Sequence, residues 1–171
     1  MIQSLPSDLL IAEKLIYEPS GLIINNFLRE SEGQEYEACM FEMRGHRIKF
    51  RRGKITPTKI GQFVTLWKRI GHGPILPYDI ADPIDVFIVS VRHSDHLGQF
   101  VFQKAVLYEK GIVSKEERGG KRAMRVYPPW DVTDSLQAKK TQAWQLEYFF
   151  DITPKSNSAR FQKLYCPEPN D

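Results

Sequence analysis

The chain has 171 residues, 42% of them hydrophobic and 12% aromatic, enough for one domain with its own core and too few for two comfortable ones. It contains no apolar run of about 18 residues. The opening MIQSLPSDLLIAEKL lacks the basic start, apolar block and small-residue cleavage site of a secretion signal, so no membrane association and a cytoplasmic location are expected.

Lys and Arg number 24 against 21 Asp and Glu, but the charges are segregated. Between Glu42 and Asp79 lie 36 residues with nine cations and no acid. The cations are Arg44, Arg47, Lys49, Arg51, Arg52, Lys54, Lys59, Lys68 and Arg69. A concentrated positive face marks a candidate for an anionic partner, although charge also clusters on ordinary solvated faces.

In chain order, SDLLIAEKLIYEP reads as an amphipathic helix with Leu9, Leu10, Ala12 and Ile16 on one side. SGLIINNFLRES reads as a second, capped by Ser20. YEACMFEM and HRIKFRR alternate as strands, joined by the two-residue turn Arg44-Gly45. The second strand divides Ile48 and Phe50 from Arg47, Lys49 and Arg51. Three cations on an exposed strand face suit a phosphate backbone, or the protected edge of a sheet.

Thr56-Pro57 looks like a helix start, with Ile60, Phe63, Val64 and Trp67 at helical spacing until Gly71. An anion at that N-terminus would meet Thr58, Lys59 and Lys54. DVFIVSV is a dense apolar strand, and QFVFQKAVLY (99–108) its antiparallel partner. SKEERGGKR reads as an exposed loop, AMRVYPPW as a short strand, and residues 134–150 as a helix burying Leu136, Thr141, Trp144 and Tyr148. Arg122, Arg125 and Tyr127 form a second cluster of phosphate-gripping and base-stacking residue types. The organisation is a single domain of mixed α/β class: a helical segment over 1–33, an α/β core over 34–152, and a loosely docked tail over 153–171.

Candidate chemistry is sparse. Cys39 and Cys166 are far apart and read as free thiols. His93 and His96 lie in a turn with no third ligand at metal spacing, so no metal site is assigned. Asp85 and Lys104 fall on adjacent strands, the acid-plus-lysine arrangement of metal-dependent nucleases. Phe102 occupies the place of the second acid.

Four blocks, FRRGKITPTKIGQFVTLWKR, GQFVFQK, GGKRAMRVYPPWD and KKTQAWQLEYFF, occur in this order between about Gln34 and Phe150 and resemble the MepB family. The resemblance implies a restriction-endonuclease-like, PD–(D/E)xK-related core, a central sheet flanked by helices. It brings no established catalytic residues. Against the nuclease pattern Asp85 stands at the strand acid and Lys104 at the lysine, with Phe102 departing from it.

The expectation is therefore a nucleic-acid-binding protein without nuclease activity. Its basic groove is built from Arg47, Lys49, Arg51, Arg52, Lys54, Thr58 and Lys59, with Arg122, Arg125 and Tyr127 opposite. No cofactor is expected. A divergent nuclease would use Mg²⁺ with Asp85 and Lys104. Action on a smaller anion, or docking to an acidic protein, are the other readings.

Overall fold

The computed structural model describes residues 3–155 and 158–167. It is organised by a six-stranded sheet. Strands β1 (Asn25–Arg29), β2 (Cys39–Met43) and β3 (His46–Arg52) run into β8 (Val86–His93), β9 (His96–Gln103) and β11 (Phe149–Asp151). All neighbours are antiparallel except β3 and β8, which are parallel. The protein is thus a mixed α+β domain with a mixed central sheet.

Each face of this sheet carries its own apolar cluster. One joins Phe41, Ile48, Phe50, Ile88 and Val101 to helix α1 (Ser7–Ala12), the turns after it, and helix α4 (Ser158–Tyr165). The other joins Phe87, Val89, Phe100 and Phe102 to helix α2 (Lys104–Glu109) and to a smaller sheet. That sheet comprises β4 (Lys54–Ile55), β5 (Gln62–Thr65) and β10 (Ala123–Val126), in the order β10-β5-β4. Burial on both faces explains why β8 reads as an unbroken apolar run. Strands β6 (Trp67–Arg69) and β7 (Ile75–Pro77) form a separate ribbon, and helix α3 (Leu136–Leu146) precedes β11.

The β2–β3 hairpin forms as expected: Arg44 and Gly45 both take positive φ, 52° and 78°, the geometry of a two-residue turn matching strand twist. Several other expectations fail for identifiable reasons. The second helix is instead β1, an edge strand bulged between Asn25 and Leu28, where Asn26 takes φ 52°. The helix expected after Thr56 is a loop followed by β5 and β6. The helical spacing of Ile60, Phe63, Val64 and Trp67 is incidental. The buried set is Gln62, Val64 and Leu66, a period of two that a buried glutamine conceals. Pairing of Gln62–Thr65 with Ala123–Val126 outweighs local propensity there.

The partner of β8 ends at Gln103, and Lys104 opens α2 rather than lying mid-strand. The helix of 134–150 is shorter, with Leu136 70% exposed while Ala138 and Gln145 are buried. After Ile152, α4 places Phe161, Leu164 and Tyr165 in the core. Tyr17 and Tyr165 both donate to Oε1 of the buried Gln99, at 2.5 and 2.7 Å, so this segment is closely docked.

Candidate nucleic-acid interface

Strand β3 is an inner strand, and two of its cations, Lys49 and Arg51, are not laid out on open surface. Lys49 and Arg51 point to the face shared with Tyr78, where Glu30, the residue after β1, receives both. Its Oε1 accepts from Lys49 Nζ at 2.5 Å and its Oε2 from Arg51 Nη1. Arg51, only 4% exposed, also donates to the Phe50 carbonyl and to Tyr78 Oη, at 2.9 and 3.2 Å. Burial pushes the Tyr78 phenol up to about 12, opposed by the adjacent guanidinium. This arrangement is a desolvated, hydrogen-bonded charge cluster.

Around it, further cations of the basic stretch are held at the surface. Arg52 lies 3.7 Å from Asp8 and 3.9 Å from Glu37. Lys54 bonds Glu35 at 2.9 Å, with its ammonium 4.9 Å from the centre of the Tyr36 ring. Lys68 bonds Asp82 at 2.6 Å and Arg69 bonds Glu32 at 3.0 Å. Arg47 approaches Asp85 at 3.5 Å. Of the nine cations, seven therefore meet a carboxylate within ion-pair distance.

The sheet β10-β5-β4 brings together residues that lie far apart in sequence. Lys54 pairs with Phe63, and Phe63 with Arg125, so the three side chains form one row on one face. The Arg125 guanidinium lies 5.8 Å from the Phe63 ring centre, and Tyr36 packs 6.3 Å from the same ring. Arg125 also donates to Thr56 Oγ1 at 2.9 Å and to the carbonyls of Ile60 and Gly61. It thereby holds the loop that carries the exposed Thr58 and Lys59. Those two residues cap no helix. Arg122 is exposed at the start of β10, and the ring of Tyr127 packs against Gly61.

Beside the Glu30 cluster is a cleft of about 240 Å³. Lys49, Arg51, Lys68 and Arg69 line it with Trp67 and Tyr78, and Glu30 and Glu32 lie on its wall. Tyr78 was not singled out from sequence, and Phe63 and Trp67 were read only as the apolar face of a helix. Glu30, Glu32 and Glu35 were not singled out either, and Glu37 was considered only as a candidate metal-site acid. The available signal was ESEGQEYE, four acids in eight residues just ahead of the basic stretch.

Asp85 and Lys104 meet at one end of the β8–β9 hairpin, where Lys104 N–H donates to the Asp85 carbonyl at 3.1 Å. The Asp85 carboxylate accepts from the Arg47 backbone N–H at 2.7 Å, while Lys104 Nζ donates to the Asp82 carbonyl at 2.8 Å. Phe102 is fully buried against Trp144 and Tyr148. Among the described residues, no three His, Cys, Asp or Glu side chains gather as a metal group. Cys39 is buried, which pushes its thiol up to about 12, well outside the range of a reactive thiolate. No helix of the described residues is long and apolar enough to cross a membrane.

Comparison with known proteins returns one consistent family. A family model described as MepB-like matches residues 30–151. A solved structure, "Crystal Structure of MepB", superposes with a TM-score of 0.74 at 32% identity, covering 85% of this chain and 97% of that one. No curated protein matches.

Proposed function

The chain belongs to the MepB-like family, and we propose that it is a non-catalytic nucleic-acid-binding protein whose contact surface centres on the β4–β5–β10 sheet and the adjoining cleft. The observation that carries this reading is the row Lys54–Phe63–Arg125, two cations flanking an aromatic ring. Phosphates are gripped by cations and bases stack on aromatic faces, so such a row suits a single-stranded or locally opened backbone. Arg52, Lys59, Arg69 and Arg122 extend the positive surface along the loops and strand ends around it. Arg47 lies further along β3, while Lys49 and Arg51 act beneath, fixing the cleft wall through Glu30.

Restriction-endonuclease-like ancestry is part of the same proposal. Asp85 and Lys104 are joined through their backbones at one end of the β8–β9 hairpin, with Lys104 as the first residue of α2, while Phe102 fills the place of the second acid with a buried ring. A scaffold that keeps cations and lacks the paired carboxylates binds without cutting.

The test is fluorescence anisotropy with labelled single- and double-stranded oligonucleotides at about 50 and 200 mM salt, with and without Mg²⁺, followed by a gel. With six to eight phosphates contacted, log affinity falls against log salt at a slope of roughly −4 to −7. Lys59→Glu is expected to weaken binding without lowering the unfolding midpoint. A flat salt response sinks the reading, and cut oligonucleotide moves Asp85 and Lys104 to its centre.

A further inference from the structure

The segment ESEGQEYE, residues 30–37, carries four glutamates, and every one is paired to a cation of the basic stretch. Glu30 takes Lys49 and Arg51, Glu32 takes Arg69 at 3.0 Å, Glu35 takes Lys54 at 2.9 Å, and Glu37 approaches Arg52 at 3.9 Å. Five cations from three strands are thus matched by carboxylates spaced two or three residues apart along one short run of chain.

The backbone of this run is fixed. Tyr36 is 7% exposed in the core, the Glu30 N–H donates to the Ala38 carbonyl at 2.9 Å, and the Ala38 N–H to the Gly33 carbonyl at 3.2 Å. The outer carboxylates are free to turn: the Glu32 and Glu35 side chains are 49% and 65% exposed. Glu37 reaches Arg52 only through Oε1 at 3.9 Å, near the limit of an ion pair.

We infer that residues 30–37 act as a built-in polyanion, occupying the cations that a nucleic-acid backbone contacts and lowering its affinity by direct competition. The inference rests on the nucleic-acid reading above and adds its regulation. Phosphates bind by replacing Glu35 on Lys54, Glu32 on Arg69 and Glu37 on Arg52, which keeps its nearer contact with the buried Asp8, and the two exposed glutamates swing into water while their backbone stays in place. Exposed ion pairs are weak enough to exchange this way. The Glu30 cluster is largely buried and stays intact, so the covered path runs along the outer cations only.

The experiment compares the wild type with Glu32→Gln/Glu35→Gln/Glu37→Gln by anisotropy, using the same labelled oligonucleotides. A control, Glu116→Gln/Asp134→Asn/Glu147→Gln, removes as many charges from exposed acids on other elements. The first variant is expected to bind on the order of tenfold tighter at low salt, with a similar salt slope because the same cations meet phosphate in both proteins. The control is expected to gain less than about twofold. Equal gains in both variants, or no gain in either while the wild type binds, overturn the competition and leave the nucleic-acid reading standing. Absence of binding in all three proteins sinks both. Binding by the first variant alone supports both. Should the triple variant unfold, Glu35→Gln, at the most exposed of these pairs, is expected to bind about twofold tighter, and no change in it overturns the competition.

Discussion

The cations of one short stretch of chain live in two different physical worlds. Lys49 and Arg51 share Glu30 in a desolvated pocket, their side chains 12% and 5% exposed. Lys54, two residues beyond Arg52, meets Glu35 at the surface, with exposures of 42% and 65%. In sequence the two sets look alike. In the fold the inner set is part of the structure, because removing its carboxylate strands two charges away from water. The outer set is screened by solvent and salt, so its partners can be exchanged at small cost. Charge density along a chain therefore says little about availability. Depth below the surface decides it.

The largest test of this contrast is Glu30→Gln. Stranding Arg51 and Lys49 is expected to cost about 3–5 kcal/mol, seen as a fall in thermal midpoint of about 10 °C or more. A loss under about 1 kcal/mol would mean that water reaches the cluster and that the inner set resembles the outer one.

A buried carboxylate held chiefly by hydrogen bonds sharpens the comparison. Asp79 accepts from the backbone N–H groups of Ala81 and Glu117 and from Ser114 Oγ, at 3.0, 3.2 and 2.7 Å. These bonds, that from Ala81 foremost, hold its carboxyl below the ordinary carboxylate value. Its contribution is therefore present above the unfolded-state value near pH 4 and is lost as pH falls through the lower folded value. Asp79→Asn is expected to cost about 1–3 kcal/mol at neutral pH and to flatten the acid limb of a stability-against-pH curve measured by urea unfolding. An unchanged acid limb would remove Asp79 from that account.

The smallest effect belongs to the outer set. Glu35→Gln is expected to change stability by less than about 1 kcal/mol, a difference that shrinks further in about 1 M salt. A larger loss would show that the surface pair is structural after all.

What the sequence disclosed follows the same division between local and long-range causes. The β2–β3 hairpin was legible because its signals are local: alternation in CMFEM and HRIKF, and a turn pair tolerant of positive φ. Strand β8 was legible through its apolar density. Strand β5 was not, because its partner β10 lies about sixty residues on and its inward-facing Gln62 looks like a surface residue. The same holds for the candidate interface. The cations were visible one by one, yet the row Lys54–Phe63–Arg125 exists only through strand pairing. The role of Glu30 depends on a contact across two strands. Asp85 and Lys104 meet through their backbones, yet the lysine expected mid-strand is the first residue of a helix.

Helix α4 packs Phe161, Leu164 and Tyr165 on one side of the central sheet, whereas the β4–β5–β10 sheet covers the other. This two-sidedness has a practical use. A fluorophore or a biosensor linkage attached to the solvent side of α4 is separated from the candidate contact surface by the whole thickness of the domain. Immobilisation there would leave Lys54, Phe63 and Arg125 turned toward the flowing solution.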